Sequence, residues 1–234
     1  MLRIAVTRPK EQLADLTSRA AGRGIEIVPL PLISVQPVPF AWPNEFDIRS
    51  VDWVFFTSAQ GASLFFVRIK ALGLAFPPHT RFGAVGEKTA ALLEKFVGVR
   101  PFVPSSSYGQ NLFEEFAAQF GQAGQTVVYA RAANVNYDPA DLFSRNGIKY
   151  FPIITYETMI QKTDSSAISA LGESDYILFT APSAVDAYQS SFGLPTARSV
   201  AIGQTTAAQM SRYGWERVRV LPSPNLDLIL EFAQ

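Results

Sequence analysis

The stretch "DYILFTAPSAVDAY", residues 175–188, repeats the pattern of "DWVFFTSAQGASLF", residues 52–65. In both, an aspartate opens an apolar run that ends at a threonine, and small residues then lead into a helix-type pattern. A strand that is apolar throughout and passes directly into a helix is typical of parallel α/β sheets. The chain therefore contains this unit twice, 123 positions apart, as Asp52 and Asp175 mark.

The same offset relates much of the rest of the chain. Seven residues recur 123 positions later, namely Arg8, Gly24, Ile25, Pro29, Asp52, Phe56 and Thr57, as Arg131, Gly147, Ile148, Pro152, Asp175, Phe179 and Thr180. After a short deletion the offset becomes 117, which relates Gly86 to Gly203 and Thr89 to Thr206. Shared hydrophobic periodicity alone would not keep arginine, glycine, threonine and proline in one register. The pattern indicates an internal duplication.

Short β-type runs alternate with helix-type stretches in both halves, which predicts parallel sheets covered by helices on both faces. The expected fold is α/β, with two doubly wound parallel-sheet (flavodoxin-like) domains joined by a two-stranded β linker and a cleft between them. Two proline-rich stretches interrupt the rhythm, "VPLPLISVQPVPFAWP" at 28–43 and "FPIITYETMI" at 151–160. Such runs favour edge or linker strands, where a missing N–H is tolerated.

We interpret these two stretches as crossings between the domains, near 33–38 and 152–158. Domain one would then be discontinuous, comprising 1–35 and 158–234, and domain two would comprise 38–152. The boundaries of each domain would therefore differ from those of a sequence repeat.

Composition limits the possible functions. Of 234 residues 48% are hydrophobic and 17% charged, Lys+Arg and Asp+Glu both number 20, and there is no cysteine. This balance argues against nucleic acid as a partner, and the missing cysteines exclude disulfides and thiol chemistry. No apolar run approaches the roughly 18 residues of a membrane helix. "MLRIAVTRPK" reads as a strand and not as a signal peptide, so a soluble, cytoplasmic protein without membrane contact is expected.

Common catalytic and cofactor motifs are missing. His79 is the one histidine, it lies in the turn "FPPHT", and we expect it in an exposed loop. A histidine metal cluster is thereby excluded, and no metal or other cofactor is expected. "GAVGEKTA", residues 83–90, lacks the order and spacing of a phosphate-binding P-loop.

Small hydroxyl residues recur instead where strands pass into helices, namely Thr57, Ser58, Thr89, Ser105, Ser106, Ser107, Thr180, Ser183, Thr205 and Thr206. A first helical turn has unpaired N–H groups and binds carboxylate or phosphate, and Ser or Thr adds donors. These residues could equally be simple helix N-caps. Arg8 and Arg131, at equivalent strand ends, could bind an acidic ligand or form surface ion pairs. The set suits a large ligand with several carboxylates.

Motifs along nearly the whole chain resemble the uroporphyrinogen-III synthase family. They are, in that family's order, "AVTRP", "PLISVQP", "FTSAQGA", "AVGEKTA", "ITYET", "LFTAPSAVDAY", "AIGQTTAAQM" and "PSPNLDLILEF". The sequence departs from the commonest family pattern at "TSAQGA", where many members have proline or asparagine after the serine. Each motif is weak by itself, and together they are specific.

The resemblance implies a cofactor-free, monomeric enzyme of tetrapyrrole and heme biosynthesis. It would cyclise the linear hydroxymethylbilane, which bears eight carboxylates, to uroporphyrinogen III with inversion of ring D and loss of water. Transient contact with the preceding pathway enzyme is also implied. Two α/β domains with a two-stranded linker are implied as well, in agreement with the crossings above.

The family's catalytic tyrosine falls on Tyr156 of "ITYET", where it would hydrogen-bond or protonate the departing hydroxyl. A phenol suits that role because it stays neutral near pH 7. An alternative is a tyrosine that only packs at a domain junction. The family's Thr-Ser pair falls on Thr57 and Ser58, and its "G-x-T-T" threonine falls on Thr206, beside Thr205.

The substrate loses its hydroxyl spontaneously and then closes to the wrong isomer, so positioning should matter more than acid catalysis. The alternative function is a non-catalytic two-lobed binding protein for a polycarboxylate or a phosphate-bearing small molecule. A sugar-phosphate enzyme would need a carboxylate or histidine base, for which the sequence offers no candidate.

Overall fold

The computed structural model describes residues 1–44, 46–106, 108–161 and 171–232. The chain divides into two compact units, unit 1 with Met1–Ser34 and Met159–Gln234, and unit 2 with Val35–Thr158. The strands are β1 (Leu2–Val6), β2 (Ile25–Pro29), β3 (Ile33–Pro37), β4 (Trp53–Phe56), β5 (Arg81–Ala84), β6 (Thr126–Ala132), β7 (Lys149–Ile160), β8 (Tyr176–Phe179), β9 (Arg198–Ala201) and β10 (Arg219–Val220). The α-helices are α1 (Ala14–Ala21), α2 (Ala59–Ala71), α3 (Glu87–Val97), α4 (Gly109–Gln119), α5 (Ala140–Arg145), α6 (Pro182–Phe192), α7 (Gln204–Arg212) and α8 (Ile229–Phe232).

Unit 1 contains a parallel sheet in the order β2-β1-β8-β9-β10. This is the 2-1-3-4-5 order of flavodoxin-like folds. Ile4 and Val6 pack in one apolar cluster, and Ala5 between them packs in another. Because successive strand residues face opposite sides, both faces of the sheet are covered. The predicted doubly wound α/β class is confirmed.

Unit 2 repeats this arrangement with strands β5-β4-β6-β7, which pair in parallel. Val54 and Phe56 face one apolar cluster, and Trp53 and Phe55 face the other. The next strand position is reduced to an isolated bridge between Gly83 and Phe102. Pro101 and Pro104, before and after Phe102, lack the backbone donors that a longer ladder needs.

The two proline-rich stretches form β3 and β7, which are neighbouring strands of the second sheet, and β3 is its edge strand. Val38 N donates to Thr155 O at 3.0 Å, and Gln161 N donates to Leu32 O at 2.9 Å. The two bonds run in opposite order along the chain, so β3 and β7 are antiparallel. The two crossings interpreted from the sequence thus coincide with β3 and β7, which are paired strands of this sheet.

The limits of the two units fall inside β3 and β7. The chain thus passes from one unit to the other within paired strands. A segment cut at the predicted 38–152 would lose β3 and divide β7, so 35–158 is the better segment to test for independent folding.

Each sheet combines strands from both sequence repeats, since β1 and β2 join β8–β10 while β6 and β7 join β4 and β5. Equivalent hydrogen bonds secure both junctions. Thr126 N donates to Asp52 Oδ2 at 2.7 Å in unit 2, and Arg3 N donates to Asp175 Oδ2 at 2.9 Å in unit 1. The aspartate that opens each repeated stretch therefore connects a strand of one repeat to a strand of the other.

Candidate active site

The residues predicted as site residues lie at or just beyond the carboxyl ends of the two sheets. Unit 2 contains Thr57, Ser58, Thr89, Arg131 and Tyr156, and unit 1 contains Arg8, Thr180, Ser183, Thr205 and Thr206. Parallel strands end at the same edge, so each sheet gathers its own set along one edge. The contacts made by these side chains differ between the two units.

Ser58 connects the first turn of α2 to Tyr156. It is the N-cap of this helix, and its Oγ accepts a hydrogen bond from Gly61 N at 3.0 Å. The same oxygen lies 3.0 Å from Tyr156 Oη. A hydroxyl can accept one hydrogen bond and donate its own proton at the same time. Ser58 can therefore donate to Tyr156 and leave the phenol proton for a ligand.

Gly61 packs closely against this contact. A Cβ at this position would lie 3.0 Å from Ser58 Oγ and 3.1 Å from Tyr156 Cε1, closer than ordinary contacts allow. The glycine therefore lets the first turn of α2 approach the tyrosine. Unit 1 has Ala184 at the equivalent position, 123 residues later.

Tyr129 completes the hydroxyl cluster of unit 2 and was missed by the sequence reasoning. Its Oη lies 3.0 Å from Thr57 Oγ1, and the residue is only 2% exposed. Burial raises the pKa of Tyr129 to about 12, so the phenol is neutral at physiological pH. A tyrosine inside the apolar run "TVVYA" was the available signal, since a buried phenol usually has a polar partner.

Arg131, at the end of β6, is partly committed to an ion pair. Its Nη2 lies 3.6 Å from Asp138 Oδ2, and the arginine side chain is 15% exposed. Its Nε is buried without a hydrogen-bond partner among the described residues. The guanidinium thus combines the two roles left open by the sequence, an ion pair and an unused donor. Burial, and secondarily the Asp138 carboxylate, raise the pKa of Tyr150.

Thr89 and Thr206 are more deeply placed than expected for ligand contacts, at 5% and 1% exposed. They lie in the first turns of α3 and α7, whose N-caps are Gly86 and Gly203. Neither cap has a side chain to bond the first-turn N–H groups. Those N–H groups are the donors that this part of each helix offers. A substrate role for the two threonine hydroxyls stays a prediction.

Thr180 in unit 1 is held by Thr7 rather than by a tyrosine. Thr180 N donates to Thr7 Oγ1 at 2.9 Å, and Thr180 Oγ1 donates to Thr7 O at 3.1 Å. Its hydroxyl proton is therefore used by the main chain.

Arg8 follows β1 and is half-buried. Among the described residues its guanidinium forms no ion pair, and its polar contact is from Nη1 to Gln12 Oε1 at 3.5 Å. Burial lowers the pKa of Arg8, although an arginine stays charged in proteins. In the same unit, Ser183 is half-buried and Thr205 is exposed. Arg8 is thus a cation without a carboxylate partner within the described chain.

The N-cap alternative is correct for Ser58 alone among the predicted site residues in the described chain. The helices of the other candidates begin at Gly86, Ala181 and Gly203, without a side-chain cap. Ser105 instead binds the Glu115 carboxylate through its N–H and hydroxyl, and these bonds lower the pKa of Glu115. Ser107 lies outside the described residues.

His79 is exposed in the turn before β5, as predicted from the sequence. Across the described ranges, no three His, Asp or Glu side chains are grouped as a metal ion would require. Within the same ranges no helix combines the length and the apolar character needed to cross a membrane.

The two sheets and their equivalent strand ends define a duplicated α/β protein. Residues 14–231 match the model of one family, described as uroporphyrinogen-III synthase HemD. The chain belongs to the uroporphyrinogen-III synthase family.

Two curated relatives agree with this membership. The chain is 30% identical to the porphyrin biosynthesis protein HemD of Ruminiclostridium josui over 225 residues, covering 90% of this chain and 44% of that protein. It is 26% identical to the uroporphyrinogen-III synthase of Chlorobaculum parvum over 235 residues, covering 95% of this chain and 93% of that one. The chain thus spans less than half of the first relative and nearly all of the second.

Solved structures agree in fold. A mutant uroporphyrinogen III synthase from Thermus thermophilus superposes with a TM-score of 0.71 at 17% identity, covering 99% of this chain and 97% of that one. The synthetase from Helicobacter pylori gives 0.65 at 21% identity, covering 100% and 98%. At such low identity these likenesses bear on the fold alone. The family match and the relatives support the synthase interpretation over the non-catalytic binding protein.

Proposed function

We propose that this protein closes linear hydroxymethylbilane to uroporphyrinogen III, with inversion of ring D and loss of water. The observation that carries this proposal is the contact of Ser58 Oγ with both Gly61 N and Tyr156 Oη, each at 3.0 Å. It orients a phenol at a strand end, next to a first helical turn whose N–H groups can hold a carboxylate.

Tyr156 is the proposed donor to the departing hydroxyl. Gly61 N–H donates to Ser58 Oγ, and we propose that the Ser58 hydroxyl in turn donates to Tyr156 Oη, which leaves the phenol proton for the substrate. As the C–O bond of the substrate breaks, Tyr156 passes this proton to the leaving oxygen and water departs. The pyrrole nitrogen supplies the electron pair, which leaves an azafulvene.

Ring D then attacks the azafulvene carbon through the α-position that already carries the bridge to ring C, which gives a spiro intermediate. The bond from ring D to that bridge carbon breaks, and the bridge carbon joins the free α-position of ring D, so that ring D is inverted. The proton released when the pyrroles become aromatic again restores the neutral phenol. Hydrogen bonds to a charged donor or acceptor are the stronger ones, at about 1.5–3 kcal/mol each.

The acetate and propionate carboxylates of the substrate are proposed to bind Arg8, Arg131, the hydroxyl residues and first-turn N–H groups. Many modest contacts suit a flexible substrate, because the protein must chiefly hold the conformation in which ring D inverts. We further propose a cytoplasmic monomer that works without a cofactor and takes its substrate from the preceding enzyme of the pathway.

The test is the product isomer. Incubation with freshly prepared hydroxymethylbilane, followed by oxidation and separation of the porphyrins, should give the type III isomer faster than the spontaneous reaction gives type I. Formation of type I alone, at the spontaneous rate, would remove the proposed function.

A further inference from the structure

Tyr129 lies beneath the strand end that carries Thr57. It belongs to β6, which pairs with β4 so that Tyr129 is opposite Phe55. Its ring packs edge-on against Phe113 at 4.9 Å between centroids, and only 2% of the residue is exposed. The ring is therefore held in one position, which also fixes the position of its hydroxyl oxygen.

The proton of this phenol has one acceptor available. Within the described chain, Thr57 Oγ1 is the hydrogen-bond partner of Tyr129 Oη, at 3.0 Å. A buried hydroxyl that does not donate its proton destabilises the folded protein relative to one that does. Tyr129 therefore donates to Thr57, whose half-buried oxygen accepts, and the hydroxyl proton of Thr57 is left free.

Thr180, the equivalent residue in unit 1, has the opposite arrangement. Its hydroxyl donates to Thr7 O at 3.1 Å, so its proton is used within the protein. In unit 2 the residue equivalent to Thr7 is Ala130, which has no hydroxyl, and the residue equivalent to Tyr129 in unit 1 is Val6. In unit 1 the hydroxyl proton of Thr180 is thus bound by the main chain, whereas in unit 2 the hydroxyl proton of Thr57 is left free.

We infer that Tyr129 is a positioning residue that makes Thr57 a hydrogen-bond donor to a substrate carboxylate. The inference rests on the proposed function for the identity of the ligand. It assigns to Tyr129 no contact with the substrate, because the residue is buried. Its effect passes through Thr57, and this dependence is what an experiment can detect.

The test is a double-mutant cycle of Tyr129→Phe and Thr57→Val. Three quantities are measured, namely kcat and KM with hydroxymethylbilane and the Kd of uroporphyrin III, the oxidised and unreactive form of the proposed product. Either single variant should raise KM and Kd by about 5- to 10-fold, as loss of one hydrogen bond predicts, with kcat within about twofold. The double variant should be no weaker than Thr57→Val alone.

Tyr137→Phe is the matched control. Tyr137 also faces Phe113, at 6.1 Å between ring centroids, but it does not bond Thr57. The Tyr137→Phe variant should leave both KM and Kd unchanged. Thermal unfolding of each variant reports whether the fold is kept, and Tyr129→Phe preserves the ring that packs in the core.

The inference would be overturned if Tyr129→Phe raised KM and Kd equally in the unmodified protein and in Thr57→Val, because the phenol would then act independently of the threonine. No change in KM or Kd on Tyr129→Phe would overturn it as well. If the unmodified protein forms no type III isomer, the proposed function fails. The double-mutant cycle measured through the Kd of uroporphyrin III then still decides whether Tyr129 acts through Thr57.

Discussion

The turn after β4 and the turn after β8 begin with the same threonine and then differ. In unit 2, Thr57 and Ser58 each contact a tyrosine hydroxyl at 3.0 Å, and Ser58 caps α2. In unit 1, Thr180 bonds Thr7, the N-cap of α6 is Ala181, and Pro182 begins the helix. Duplication has thus kept the sheet, while the contacts between hydroxyl residues and tyrosines occur at this turn of unit 2 and not at the equivalent turn of unit 1.

The helix starts show how the difference arises. Pro182 needs no N–H partner and has a backbone angle suited to a first helical position, so α6 can begin without a side-chain cap. The α2 helix has no such proline and uses Ser58. That choice places a hydroxyl where Tyr156 can reach it. A local requirement of helix initiation therefore also supplies the polar contact of the proposed catalytic residue.

The largest effect is expected from Tyr156→Phe. We expect kcat to fall by about 10- to 100-fold, near the low end for a lost general acid, because the substrate hydroxyl also leaves without help. Steady-state formation of the type III isomer measures this. The control is Tyr176→Phe in unit 1, which removes a hydroxyl bonded to Arg198 at 2.9 Å and should leave kcat unchanged. Equal loss in both variants would contradict a special role for unit 2.

High pH should destabilise the chain partly through Tyr129. Burial raises its pKa to about 12 in the folded protein, against about 10 when unfolded. Between pH 10 and pH 12 the folded state therefore binds more protons than the unfolded state. The stability that Tyr129 contributes through this difference is fully present below pH 10 and is lost as the pH rises through 12. The loss amounts to about 2–3 kcal/mol. Urea unfolding at pH 9 and pH 11 should show a smaller decline for Tyr129→Phe, and an equal decline would refute the assignment.

Gly61→Ala gives unit 2 the residue that unit 1 has at Ala184. The added methyl group lies within 3.0–3.1 Å of Ser58 Oγ and Tyr156 Cε1, so these groups must separate. We expect a fall in kcat of roughly 5- to 10-fold, the effect of about one hydrogen bond. Gly109→Ala, whose Cβ meets Thr57 Cγ2 at an ordinary 3.6 Å, is the control and should retain activity. Normal kcat for Gly61→Ala would show that the Ser58 contact is dispensable.

Ser58→Ala copies Ala181 of unit 1 into unit 2. Loss of the N-cap should lower the free energy of unfolding by about 1 kcal/mol. Denaturant titration measures this change, and kcat should fall in parallel because Tyr156 loses its partner. Ser58→Thr keeps a capping hydroxyl and should recover most of the stability. An unchanged midpoint in Ser58→Ala would mean that the Gly61 N–H finds another acceptor.

The fold class was predictable from sequence because each strand is apolar on both faces and passes directly into a helix. The strand ends were predictable for the same reason, which assigned Thr57 and Ser58 to one region, whereas Tyr156 was assigned through the family resemblance. The role of β3 as the edge of a sheet was not, since a proline-rich strand reads alike in a linker and at an edge.

Hydrogen-bond partners within the site were less accessible to prediction. Tyr129 lies 72 residues from Thr57 and Tyr156 lies 98 residues from Ser58, so each pair depends on how β4, β6 and β7 align. The general N-cap interpretation was wrong for most of the hydroxyl residues, because glycine, alanine and proline begin those helices instead. Local sequence can predict a polar turn, but the partner of each side chain depends on strand register.

The central claim, that Tyr156 assists departure of the substrate hydroxyl, is tested most directly by changing the leaving group. A bilane with an acetoxymethyl group in place of the hydroxymethyl group releases acetate, which needs no proton to leave. The rate of type III formation above the spontaneous rate is measured for the unmodified protein and for Tyr156→Phe with both substrates. We expect the 10- to 100-fold deficit of Tyr156→Phe on hydroxymethylbilane to shrink to less than about threefold on the acetoxy substrate. The same deficit on both substrates would contradict the claim.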